Sequence, residues 1–223
     1  MTTPEHTLVG VHLAFAMGRH RRIGLAAVTV AAVASNLPDL DGLPMLVDMS
    51  RFESGHRVWG HNVFVIGLMS LLVGGSQVVG RWADGMTDWL VRQLGGPPDR
   101  TNGLSNGSRA LGGGGVRSRE RFRELVGWIG IALIVQLVHL PCDMVVSGGR
   151  GLTDWPVAPL WPVSRTGYVL PLVPWGDVGP TVILMAGVIQ MARVRGRYQS
   201  IALVTLTVLV LYLAGRGWMR GVW

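Results

Sequence analysis

The sequence predicts an all-α integral membrane helical bundle, and three observations carry that reading. Of the 223 residues, 49% are hydrophobic and only 15% are charged, with a mean hydropathy of +0.38. The apolar residues come in long blocks rather than in the period-2 alternation of half-buried strands. All 20 basic residues are arginine, and most flank the apolar blocks. A net charge of +7 also fits nucleic-acid binding. Arginine-bearing cytoplasmic loops between membrane helices explain it better, so no nucleic-acid partner is expected. The single cysteine, Cys142, excludes an internal disulfide and a cysteine-based zinc site. No basic region precedes the first apolar block, so a cleavable signal peptide is not expected.

Six apolar stretches follow in order: 7–18, 23–36, 62–80, 125–146, 178–192 and 200–215. A full crossing needs roughly 20 residues, with ~17 as a lower limit. Stretches 62–80 and 125–146 qualify, 200–215 is close to the limit, and 7–18 and 23–36 are short. The short pair reads as a tight helical hairpin turning at "RHRR", 19–22, which spans only in part. About five to six apolar helices result, in a single domain over 1–223. Within it, "GGPPDRTNGLSNGSRALGGGGVRS" at 95–118 reads as a disordered cytoplasmic loop. Its GGGG run is no phosphate loop, since no strand precedes it and no GK[ST] follows. The arginine cluster "RSRERFR", 117–123, reads as a juxtamembrane charge patch.

Three motifs interrupt this apolar pattern. "LPDLD" places Asp39 and Asp41 behind Pro38. Proline biases Leu37 toward extended geometry, so the two carboxylates are expected on an irregular loop, bracketing metal or capping a helix. "GHRVWGHN" carries His56 and His61, whose spacing is about 140° off on a regular helix. At least one of them therefore precedes the helix or lies in its first turn. "HLPCD" places His139 and Asp143 at i and i+4, on one helix face. An intramembrane His–Asp pair points to function, or to a simple hydrogen bond near a helix end.

Alternating helix direction brings these motifs together. With the hairpin turning at 19–22, His6 and the DxD segment share one side of the membrane. Stretch 62–80 starts there after His61, and 125–146 returns there to His139 and Asp143. The arginines agree. Fourteen of 20 fall on the opposite side, and Arg51, Arg57, Arg150, Arg165, Arg216 and Arg220 stay with the motifs. By the positive-inside rule the motif side faces away from the cytoplasm. Seven candidate ligands meet there: His6, Asp39, Asp41, His56, His61, His139 and Asp143. A structural zinc uses about four, so seven suggest two divalent ions, with zinc, manganese or iron suited to mixed imidazole and carboxylate.

The ordered set resembles the YdjM-like family of predicted membrane-bound metal-dependent hydrolases. That pattern is an N-terminal His in an apolar helix, LPD[LI]D, HR-x-x-[TS]-H-S, then HxxxD followed by a Trp-Pro element. Here it is carried by His6, Asp39 and Asp41, then His56, Arg57 and His61, then His139 and Asp143, with "PLWP" at 159–162. The resemblance runs from residue 6 to about 175. His12 is a rival to His6, but position relative to "TLVG" favours His6, and His20 at the far turn reads as structural. The sequence departs from the pattern at Gly60 and Asn62, where the family has a hydroxyl residue and serine. The segment after Asp143 is also longer than usual. A looser similarity, in the helical His/Asp set, is to zinc-dependent phospholipases C and related nucleases.

The resemblance implies an inner-membrane metal-dependent hydrolase, with a phosphoester of a lipid or lipid-linked substrate as the expected target. His6, His56, His61, His139 and Asp143 are then expected as ligands, and Asp39 or Asp41 as a bridging ligand or proton acceptor. Arg57 is expected to bind a phosphate oxygen, or else to reach lipid headgroups or to pair with one Asp. Trp155, Trp161, Tyr168 and Trp175 read as interfacial aromatics near the headgroups. The alternative is a non-catalytic metal-binding scaffold or transport component.

Overall fold

The computed structural model describes residues 1–48, 56–94, 114–148 and 154–222. Among them the regular structure is helical, and each of the six apolar stretches falls on a helix. The segment 49–55 lies outside the described residues. So does most of the expected loop, while its end, 114–118, is already the start of a long helix.

α1 (Thr3–Ala16) opens with Pro4 in its first turn and a backbone cap, the Thr2 N–H donating to the Glu5 carboxylate at 2.8 Å. Gly18 and Gly24, both at positive φ, bracket the short α2 (Arg19–Ile23), which makes the hairpin turn. α3 (Ala26–Ala34) runs back along α1. The two approach closely because small residues meet: a Cβ on Gly10 would lie 2.6 Å from the Ala31 carbonyl oxygen. Asn36 then donates to Thr7 Oγ1 at 2.8 Å, tying the exit of α3 to the start of α1.

The acidic motif is helical rather than irregular. Residues Pro38–Leu46 form a 3-10 helix, and Leu37 is right-handed helical at φ −63 and ψ −36. The proline rule fails here because the chain changes its bonding pattern. Amides of Asn36, Leu37, Asp39 and Leu40 bond three residues back, so the ladder steps past Pro38, which has no N–H to offer.

α4 (Val63–Gly80) starts at Asn62, whose Oδ1 accepts from the Val65 N–H at 3.0 Å. α5 (Trp82–Gln93) packs on α3, and Arg81 ties its start to Glu124 at 3.0 Å. α6 (Gly114–Val145) has 32 residues, ~48 Å of helix. It lies antiparallel to α4. Gly74 admits Ile129, Gln136 Nε2 donates to Ser70 Oγ at 3.0 Å, and Ile66 packs with Leu140. This register delivers His139 and Asp143 to the level of His61. α7 (Gly179–Arg193) and α8 (Tyr198–Met219) pack together and against α1. Segment 154–178 is irregular apart from bridges Val157–Tyr168 and Val146–Val173, and it covers the end where the motifs meet.

Three helices are long and apolar enough to cross a membrane: Val63–Gly80, Ser118–Val145 and Tyr198–Met219. Large apolar side chains such as Phe64, Leu68, Leu72, Val204 and Leu211 are exposed on them, as expected for helices solvated by hydrocarbon.

Candidate metal centre

Four elements supply the site: the start of α1, the 3-10 helix after α3, the turn before α4 and the last turns of α6. His6, Asp39, His139 and Asp143 each offer one donor atom, and these atoms all lie within 4.8 Å of one another. Asp143 is central. Its Oδ1 is 2.9 Å from His6 Nε2 and 2.5 Å from the Met1 amino group. Its Oδ2 is 2.9 Å from His61 Nε2 and 3.5 Å from His139 Nε2. Asp39 Oδ1 stands 3.4 Å from His139 Nε2 and 3.6 Å from His61 Nε2. The His6 and His139 rings stack at 3.7 Å.

The imidazoles are aimed from behind. His139 Nδ1 donates to the Ser35 carbonyl at 2.7 Å, which turns Nε2 inward. His61 Nδ1 donates to Asp41 Oδ2 at 2.9 Å with the same result. These are the carbonyl- and carboxylate-backed histidines that metal sites use to fix tautomer and orientation. Asp41 itself is held by His56 Nδ1 at 3.1 Å and by the Gly60 N–H at 3.0 Å. Its side chain is 3% exposed, against 18% for Asp39. Asp41 thus stands behind His61, while Asp39 is the more open carboxylate.

Electrostatics match a cation site. Burial pushes the Asp39 carboxyl up, but hydrogen bonds from His139 and His61 outweigh it and hold the group well below the usual carboxylate range. Burial likewise opposes ionisation of Asp41, and His56, His61 and the Gly60 amide reverse that and lower it. Burial disfavours the His61 cation, yet its contacts with Asp143, Asp39 and Asp41 raise its pKa well above the ordinary value. His61 thus stands among three carboxylates, where a cation would balance the charge. Three Nε2 atoms and two carboxylates converging in a buried space fit zinc, manganese or iron by donor chemistry.

Both His56 and His61 precede α4, whose first residue is Val63. His56 is half-buried, at the edge of the cluster, with its ring against Trp155 at 5.7 Å. Arg57 differs from the phosphate-facing expectation. It is fully buried, with Nη1 donating to the carbonyls of Asp143 at 3.0 Å and Trp155 at 2.9 Å. Its guanidinium lies 5.6 Å from the Trp175 ring and 5.9 Å from Trp155. Its Nε also lies 3.6 Å from Asp143 Oδ2, which is the pairing with an Asp that the sequence left open, so Arg57 stands behind Asp143 rather than in an open mouth. Its φ of +65 is uncommon for a side-chain-bearing residue. His12 is outside the cluster. Nδ1 bonds the Leu8 carbonyl at 2.8 Å, and the ring packs where α1 meets Gly187 and Thr205. His20 packs against Phe15 and Tyr198 at the far turn. Sequence reasoning missed Ser35 and the Gly60 amide, because they act through backbone atoms.

A family model described as "YdjM inner membrane protein" matches residues 1–222. No curated protein and no solved structure matches the chain.

Proposed function

The chain belongs to the YdjM inner membrane protein family, and from that premise and the site's geometry we propose that it is a membrane-bound metal-dependent hydrolase acting on a phosphoester of a lipid or lipid-linked substrate. The carrying observation is the cluster of His6, Asp39, His139 and Asp143, the last two near the end of the candidate membrane helix Ser118–Val145. We assign one ion to that group with His61 beside it, rather than the two that a count of seven ligands suggests. Asp41 and His56 are engaged with each other, and Asp41 backs His61, so both serve as positioning groups.

A divalent ion in such a site supplies acidity to water and charge compensation for phosphoryl oxygens. The residues do the rest. Asp39, the more open carboxylate, accepts the proton from the attacking water. Asp41 and Ser35 hold His61 and His139 in line. Arg57 anchors the Asp143 backbone to the 154–158 segment, so its contribution is to the shape of the site. The site side faces away from the cytoplasm by the arginine asymmetry.

The low exposure of the donors favours a second reading, a closed ion site that holds helices together. One experiment separates the two: hydrolysis of a panel of lipid phosphomonoesters and phosphodiesters by the purified protein in nanodiscs. The hydrolase reading expects turnover that a chelator abolishes and zinc or manganese restores. A metal-loaded protein that hydrolyses no member of the panel sinks the hydrolase reading and leaves the structural ion.

A further inference from the structure

A groove of about 570 Å³ runs between α7 and α8, within the ~300–1,000 Å³ range of ligand sites. Its walls include Val182, Ile183 and Ala186 from α7 and Ile201, Val204 and Val208 from α8. Thr205 also lines it, but its hydroxyl already donates to the Ile201 carbonyl at 2.9 Å. The remaining polar groups gather at one end, where Arg197 and Ser200 open α8 and Gln190 stands near the end of α7. From Arg197 to Val208 the groove follows α8 for ~17 Å. That is close to the hydrocarbon depth of one leaflet, ~15 Å.

The polar end is strongly cationic. Gln199 Nε2 donates to the Ala16 carbonyl at 3.0 Å, and the Tyr198 ring lies 5.3 Å from Phe15 and 5.9 Å from His20. The turn that carries Arg19, Arg21 and Arg22 therefore sits beside the start of α8. Arg193, Arg195 and Arg197 join it from the turn between α7 and α8. No Asp or Glu occurs in 6–38 or in 178–223. None of the six arginines makes an ion pair among the described residues. By the arginine asymmetry this is the cytoplasmic end.

An apolar trough one leaflet deep that ends among uncompensated arginines fits one kind of molecule. We propose that the groove binds an anionic phospholipid of the cytoplasmic leaflet, its phosphate at Arg197 and Ser200 and one acyl chain between α7 and α8. Basic pockets between membrane helices on the cytoplasmic side recognise such headgroups. A zwitterionic lipid brings a cation of its own toward the six arginines. A second copy of the chain in the same orientation would bring its own arginines to the same depth, with no carboxylate there to receive them. The acyl chain exchanges one apolar medium for another, so charge sets the selectivity. The polar end lies across the membrane from the metal centre, and the inference does not depend on the hydrolase reading.

The test is photo-crosslinking in phosphatidylcholine nanodiscs doped with a trace of probe lipid, either phosphatidylglycerol or phosphatidylcholine, each with a diazirine on one chain. The phosphatidylglycerol probe should label 182–194 and 197–208 several-fold more than the phosphatidylcholine probe, and high salt should reduce that excess. Arg197→Ala should lower it about fivefold, the effect of one arginine near an anionic headgroup. Val204→Trp, at a 62% exposed wall position, should displace the label, whereas Val210→Trp, 63% exposed and outside the groove, should not. Both Arg197 and Val204 are exposed, and either variant alone decides the matter. Equal labelling by the two probes, or an excess indifferent to Arg197→Ala, would show only bulk lipid against the helices and overturn the proposal. A dimer that Val204→Trp dissociates, with no change in label, would assign the groove to a second copy and overturn it as well.

Discussion

Replacing Gly60 by alanine isolates the support of the candidate metal centre from its proposed ligands. A methyl group built on Gly60 overlaps the carbonyl oxygen of Pro38. That oxygen is backbone, held in the 3-10 helix, and cannot rotate away as a side chain would. The Gly60 N–H also donates to Asp41 at 3.0 Å. The variant must therefore separate the 3-10 helix from the His61 turn, which pulls Asp41 off His61. Overpacking costs ~1–3 kcal/mol, and a lost hydrogen bond to a charged group ~1.5–3 kcal/mol. The same displacement causes both, so they do not add in full, and about 3 kcal/mol is expected. If it falls on ion binding, that is about 100-fold in affinity, at the upper end of measured effects for groups behind a ligand. Competition with a chromophoric chelator measures it. Gly67→Ala is the control, since nothing lies within 4 Å of a Cβ at that helical position; it should leave ion affinity unchanged and stabilise α4 by ~0.5–1 kcal/mol. Wild-type affinity in Gly60→Ala would refute the view that Asp41 is held against His61 by this contact.

Other predictions address individual groups. His6→Ala should lose metal while His12→Ala retains it, as read by metal analysis of detergent-purified protein; equal loss would place the N-terminal ligand wrongly. Asp41→Asn should weaken metal binding by about 10–100-fold through His61, and unchanged affinity would remove its positioning role. Asp177 accepts from Tyr212 at 2.6 Å and pairs with Arg216 at 2.8 Å. Burial opposes its ionisation, but Tyr212, the Gly179 amide and Arg216 hold its pKa below the ordinary value. That stabilisation is full above the unfolded value of ~3.9 and fades as pH falls through the lower folded value. Asp177→Asn should thus lower Tm by about 2–4 °C at pH 7, for ~1 kcal/mol, and converge with wild type in strong acid. A constant difference across pH would contradict the linkage. In a Cys142→Ser background, a reagent outside the cytoplasmic face should label a cysteine at Ser164 and not one at Ser105; the reverse would invert the topology.

The helices were legible because membrane helices need long apolar blocks, and stretch 62–80 differs from α4 by a single residue at its start. The meeting of His6, Asp39, His61, His139 and Asp143 followed from alternating helix direction, which successive crossings of a membrane impose. The geometry of Asp39 and Asp41 did not follow. The rule for residues before proline favours extended Leu37, whereas a 3-10 pattern of bonds accommodates Pro38 without it. Pairing of Arg57 with an Asp was open in the sequence, and Asp143 is that partner; its burial was hidden because Trp155 and Trp175, which enclose it, come from a segment about 100 residues later. The departures at Gly60 and Asn62 acquire reasons only in three dimensions. Pro38 leaves no room for a side chain at residue 60, and Asn62 caps α4 through its own side-chain oxygen.

Metal content per chain, measured on purified wild-type protein and on Asp143→Ala after loading with zinc or manganese, tests the central claim most directly. Asp143 contacts His6, His61 and His139 at once, so its carboxylate is the hub of the cluster. One tightly held divalent ion per chain is expected in the wild type, with its loss in a variant that keeps its helical circular-dichroism spectrum. A wild-type protein that takes up no ion, or an Asp143→Ala variant that holds it as tightly, would contradict the account.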